Sequence, residues 1–177
     1  SNKNFFFTTD KGVQKLDALD ATPIDAGAPE GLDILLSSEL GVAGSTIAIN
    51  DSVAYRVVWG YKDANDNLIL GAPSNRFVYT NDTAYIQDIT LRVAIPTPPV
   101  DVTWFVQLYR TESSGSAAGT GDHMQLALER NPDGTDITNG YILMEDLTPD
   151  ELLGAELYTN ATQEGAVNAN FQPPQCV

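Results

Sequence analysis

The 177-residue chain is poor in the groups that most often carry chemistry. It holds one cysteine, Cys176, so no intramolecular disulfide can form, and assembly in a reducing compartment is the natural expectation. It holds one histidine, His123. Basic residues are scarce: nine Lys and Arg face 24 Asp and Glu, for a net charge of -15. A surface of that sign repels phosphate backbones and anionic lipid, which sets nucleic-acid partners aside and argues against membrane docking. No apolar run approaches the roughly 20 residues of a membrane span, and no basic-plus-apolar leader opens the sequence. Membrane insertion is not expected.

What is present is ordinary globular material. Hydrophobic residues make up 42% of the chain, enough for a packed core and against disorder. A globule of this size buries roughly 70% of the surface its unfolded chain exposes, so it needs no staples. Its length suits one domain, or one domain with an appended piece.

The pattern along the chain is strand after strand. "KNFFFTTDKGVQKLDAL" predicts two short strands around a turn at Asp10-Lys11-Gly12, and "DATPIDAGAPEG" has no hydrophobic period and reads as an extended linker. In "ITLRVAI" the residues Ile89, Leu91, Val93 and Ile95 alternate strictly with Thr90, Arg92 and Ala94. "TWFVQLYRT", "MQLALE" and "GYILMED" supply further strands, with Met124, Leu126 and Leu128 on one face of the second. Tyr55, Val57, Trp59 and Tyr61 share one face of a strand whose other face is also largely apolar, as in a strand buried centrally. "KDANDN" then turns the chain and "LILGAPS" returns it, a hairpin with a polar tip. Turn clusters at "PTPPVD", "SSGSAAGTGD" and "NPDGTD" separate the rest. Many short strands so punctuated predict an antiparallel sandwich or barrel. One helical turn is expected in "TPDELLG", with Thr148 as N-cap, Pro149 at the first position and Glu151 closing a capping box.

Asp63, Asn65 and Asn67 match the first, third and fifth ligands of a calcium loop, but Leu68 and Ser74 stand where the bending Gly and the closing Glu belong. The tip therefore reads as a solvated turn, with no metal. His123 sits beside Asp122 in a loop of small residues that would not hold a catalytic base rigidly. Cys176 has no neighbouring base. "GSAAGTG" lacks the Lys-Ser or Lys-Thr of a phosphate loop, and no carboxylate pair can be set across a cleft. Sequons begin at Asn50, Asn81 and Asn160. No catalytic, cofactor or metal residue emerges, and the chain is read as not an enzyme. Ser113 to Asp122 should be the most mobile part of the sandwich, because its small residues leave little to bury.

The run "YRVVWGYKDANDNLILGAPS", the alternating strand after it and then "YRTESSG" resemble fibronectin type III-like modules in bacteriophage tail proteins. "YILMEDLTPDELLGAELYTNATQEGAVNANFQPP" is similar to the end of the same module, and "NFFFTTDKGVQKL" resembles a strand pair of a propeller-like domain. The resemblance implies an immunoglobulin/fibronectin type III-like antiparallel β-sandwich over residues 46–177, a linker and approach over 20–45, and an N-terminal strand pair over 1–19 belonging to a neighbouring unit. It implies a structural virion component of the tubular or nozzle part of a tail, acting as spacer, decoration or contact surface. Its partners would be other tail proteins and copies of itself in a ring, with a host-surface glycan as a further candidate, and assembly would take place in the bacterial host cytoplasm. The rival is a bacterial surface adhesion or carbohydrate-binding module on the same architecture.

Overall fold

A computed structural model of the chain describes residues 5–10, 12–16, 18–41, 46–64, 66, 68–96, 101, 103–115 and 121–157. Cys176, the sequon at Asn160 and half of the expected mobile loop (116–120) lie outside the described residues, as do Asn65 and Asn67 of the hairpin tip.

β1 (Phe5–Thr9) and β2 (Gly12–Leu16) form the expected antiparallel pair, Phe5 opposite Leu16 and Thr9 opposite Gly12. β3 (Ile24–Asp25) adds two residues to the far side of β2. Then follow β4 (Ile34–Leu40), β5 (Ser52–Lys62), β6 (Leu68–Leu70), β7 (Phe77–Thr80), β8 (Asp88–Ala94), β9 (Phe105–Arg110), β10 (Gln125–Arg130), the helix α1 (Gly134–Asn139) and β11 (Tyr141–Asp146). One antiparallel sheet has the order β11-β8-β4. The other runs β10-β9-β5-β6, with β7 also paired to β5. Ile34 from β4, Ile89, Leu91 and Val93 from β8 and Ile142 and Met144 from β11 meet Val53, Tyr55, Val57 and Trp59 from β5 and Val106 and Leu108 from β9 in one core. The protein is an all-β antiparallel sandwich.

The alternation expected from residue 89 to 95 is seen in full: Ile89, Leu91 and Val93 are buried, while Arg92 is exposed. β5 is the central strand, paired along its length to β9 on one side and to β7 and β6 on the other. Its second face is covered too, since Ala54 and Val58 join Tyr109, Met124 and Leu157 in a smaller apolar cluster. That explains an eleven-residue strand apolar on both sides.

Several expectations are corrected. The sandwich starts before residue 46, because β4 pairs with β8 from Ile34 opposite Val93 to Leu40 opposite Asp88. Its alternation is broken by a bulge between Leu36 and Ser38, which hides a strand in sequence. Met124, Leu126 and Leu128 do not share a face: a bulge between Leu126 and Leu128 turns Leu126 to the smaller cluster and Leu128 to the inter-sheet core. The helix falls at "NPDGTD", where the residues predict only a turn. Asp133 caps it by accepting from the amides of Thr135 and Asp136, both at 2.8 Å, and the Asp136 carboxylate accepts from the Asp133 amide, a box built from two Asp. Those amide bonds, the one from Asp136 foremost, hold the Asp133 carboxyl below its usual range. In "TPDELLG" only a 3-10 turn forms over Asp150–Leu152. Thr148 does not cap it; its hydroxyl donates to the Ala127 carbonyl instead.

The stretch read as a linker is seated on the sandwich. Ala28 is buried, and the Gly31 amide donates to the Ala72 carbonyl at 2.9 Å. A side chain at Gly31 would run into the Val57 carbonyl and the Ser74 amide, so only glycine lets the strap lie this close.

Candidate functional site

Charged side chains buried in an apolar sandwich need partners, and following them locates the polar centres of this molecule. Tyr55 and Arg110 stand directly opposite each other on β5 and β9. Asp146 ends β11 in the facing sheet, in phase with buried Ile142 and Met144. The Tyr55 hydroxyl donates to Asp146 Oδ2 at 2.7 Å, and Arg110 Nη1 lies 3.4 Å from the same oxygen. Arg110 Nη2 donates to the Thr148 carbonyl at 2.6 Å and to Asp150 Oδ1 at 2.9 Å. The other Asp150 oxygen accepts from the Ser113 amide, and Asp146 Oδ1 accepts from the Thr148 amide, both at 3.0 Å. Tyr55, Arg110 and Asp146 are fully buried. Burial first, and the Asp146 carboxylate second, push the Tyr55 phenol well above its ordinary range. The phenol stays protonated and donates.

This network ties both sheets and the 3-10 turn together at one end of the sandwich. Arg110 Nη2 and both carboxylates bond to one another, to Tyr55 and to backbone groups; Arg110 Nε and Nη1 make no hydrogen bond, and the Asp150 carboxylate is partly exposed. The arrangement is a clamp.

The hairpin tip differs from the solvated turn that was expected. Asp63 is buried, and Lys15 from β2 donates to its Oδ2 at 2.7 Å with side-chain exposures of 1% and 0%. The ammonium also lies 5.9 Å from the centre of the Tyr61 ring, which itself tilts against Trp104 at 4.5 Å. The first position of the calcium-like pattern thus carries a cation supplied by the chain itself. Asp66, further round the tip, is exposed and pairs with Lys62 at 3.2 Å.

The remaining candidates stay apart. His123 is exposed, with Nδ1 3.8 Å from Glu156 Oε1, while Asp122 turns to Arg76 at 3.8 Å. Asn81 is buried: its amide donates to the carbonyls of Ile47, Ala48 and Tyr85, and its oxygen accepts from the Thr83 amide and hydroxyl. That sequon is a structural turn, closed to a glycan in the folded protein. Asn50 is exposed, in a left-handed conformation. Among the described residues no three His, Cys, Asp or Glu are grouped to hold a metal ion, and no helix is long and apolar enough to cross a membrane.

Sequence reasoning missed Lys15, Arg110, Asp146 and Asp150. A signal existed for Asp146, which keeps the burial phase of its strand, and for Arg110, which ends a strand apolar on both faces. No protein family, no curated protein and no solved structure matches this chain.

Proposed function

We propose that this chain is a structural module of a bacteriophage virion, part of the tubular or nozzle region of a tail, where it holds surfaces in place without turnover. One observation carries the reading. The phrases that resemble tail modules, "YRVVW", "YRTESSG" and "EDLTPDE", supply Tyr55, Arg110, Ser113, Asp146, Thr148 and Asp150, and these residues converge on a single clamp. Phrases shared for architectural reasons are what a load-transmitting spacer needs, and the charged centre of the clamp, Arg110 with Asp146, is fully buried. The Lys15–Asp63 pair supports the same reading, since it couples the N-terminal sheet to the hairpin tip of the sandwich.

The test is antibody labelling of the module on intact virions from an infected bacterial culture, viewed by electron microscopy. Label on the tail is expected. Label on bacterial envelopes alone, with particles bare, would overturn the reading in favour of a surface adhesin.

A further inference from the structure

The two sheets of the sandwich are treated differently on their outer sides. The five-stranded sheet carries a second apolar cluster over β5, closed by Met124 and Leu157. The three-stranded sheet carries no such cover among the described residues. Its inward residues Ile89, Leu91, Val93, Ile142 and Met144 are buried, so the residues between them point out. Leu35, Arg92 and Leu143 form one row across the three strands, with Leu35 58% and Leu143 41% exposed. Arg92 lies over the ring of Tyr141, 4.0 Å from its centre, and Glu145 is exposed one row further along β11.

Arg92 is set apart by its pairing as well. Among the described residues, Lys62, Arg76 and Arg130 face carboxylates at the surface, Lys15 and Arg110 are buried against Asp63 and Asp146, and Arg56 donates to the Ser74 carbonyl. Arg92 is exposed and, among the described residues, has no carboxylate within ion-pair distance; nor, among them, does Glu145 have a cation. On a chain of net charge -15, a bare guanidinium stacked on a tyrosine between two exposed leucines is an unusual expenditure. Arginine and tyrosine beside apolar side chains are what interface centres are enriched in.

We propose that this face docks a second copy of the chain through the same face. Charge complementarity selects that occupant. A two-fold axis lying between two such faces, midway between Arg92 and Glu145, exchanges the two positions, so each Arg92 meets the partner's Glu145 while Leu35 and Leu143 are covered. An unrelated acidic surface would satisfy Arg92 and leave Glu145 facing like charge. Three strands offer less than the roughly 800 Å² per partner of a standard stable interface, so the dimer is weak and reversible in dilute solution. It becomes effective where copies are held side by side. The proposal goes beyond the virion reading and stands or falls without it.

Sedimentation equilibrium of the chain in reductant, so that Cys176 cannot join copies, tests it. The wild type is expected to show a concentration-dependent dimer that strengthens from low to physiological ionic strength, as salt screens the net repulsion. Arg92→Glu alone and Glu145→Arg alone should each weaken it about tenfold or more, and the double variant R92E/E145R should restore it. A wild type that stays monomeric at every concentration and salt would overturn the proposal. So would a dimer indifferent to both single reversals, or a double variant no better than the singles.

Discussion

Trp59 sits on the core face of the central strand, opposite Val106 and without exposed surface, so its loss empties the largest volume any one buried side chain fills here. Trp59→Ala should cost about 3–5 kcal/mol, read as a lower denaturant midpoint with unchanged slope. Tyr55 matters through its proton. Its folded-state phenol is raised above the ordinary tyrosine value of 10.0, which the unfolded chain regains, so above that pH the unfolded state loses a proton that the native state keeps. The associated stability is complete below pH 10.0 and is lost as pH climbs beyond it. Tyr79, also raised by burial and by Glu39, adds to the same slope. Tyr55→Phe should lower stability at neutral pH, through the lost bond to Asp146, and should flatten the alkaline fall; denaturant midpoints measured on both sides of pH 10.0 check both signs. Arg110→Met leaves the buried Asp146 without its cation and should cost about 3–5 kcal/mol.

Among the elements, the small N-terminal sheet carries one buried ion pair to the sandwich, Lys15 with Asp63. A sheet of three short strands is marginal alone, and Lys15 is its fully buried anchor on the sandwich. Lys15→Met and Asp63→Asn should each destabilise by about 3–5 kcal/mol because each leaves a buried charge behind. The double variant should lose much less than the sum, which a double-mutant cycle on thermal or denaturant unfolding measures. The strap over residues 26–33 makes a different demand. Gly31→Ala forces a Cβ against the Val57 carbonyl and should lift the strap, so limited proteolysis should begin within residues 20–33 of the variant while sparing them in the wild type. Asp133 illustrates a third kind of dependence: short as α1 is, its first turn is held by one carboxylate that accepts two amides and by a second that answers it.

For the whole molecule, the charge of -15 disfavours self-association at low salt, and the proposed Arg92 face works against that background. Chelators should leave the unfolding temperature unchanged, because Asp63, the residue a calcium loop would need first, is occupied by the Lys15 ammonium. A chelator-induced fall in melting temperature, restored by calcium, would contradict this. On the structural role proposed above, for a sandwich with a clamp at one end and the N-terminal sheet latched to its hairpin tip, a panel of hydrolase substrates should show no turnover.

How much of this was legible beforehand follows from the range of the forces involved. Side-chain alternation is local: Ile89 to Ile95 and Tyr55 to Tyr61 announce their strands because a period of two needs no knowledge of the partner. The all-β class and the β5–β6 hairpin came from such runs and from turn residues. The bulges in β4 and β10 were opaque, since one extra residue breaks the period at a place only the neighbouring strand requires. The polar centres were opaque for a stronger reason. Lys15 and Asp63 are 48 positions apart and Tyr55 and Asp146 are 91 apart, so their pairing depends on which sheets stack and which hairpin the N-terminal strands reach. Composition could say that buried charges must be matched; the packing of the two sheets chose their mates.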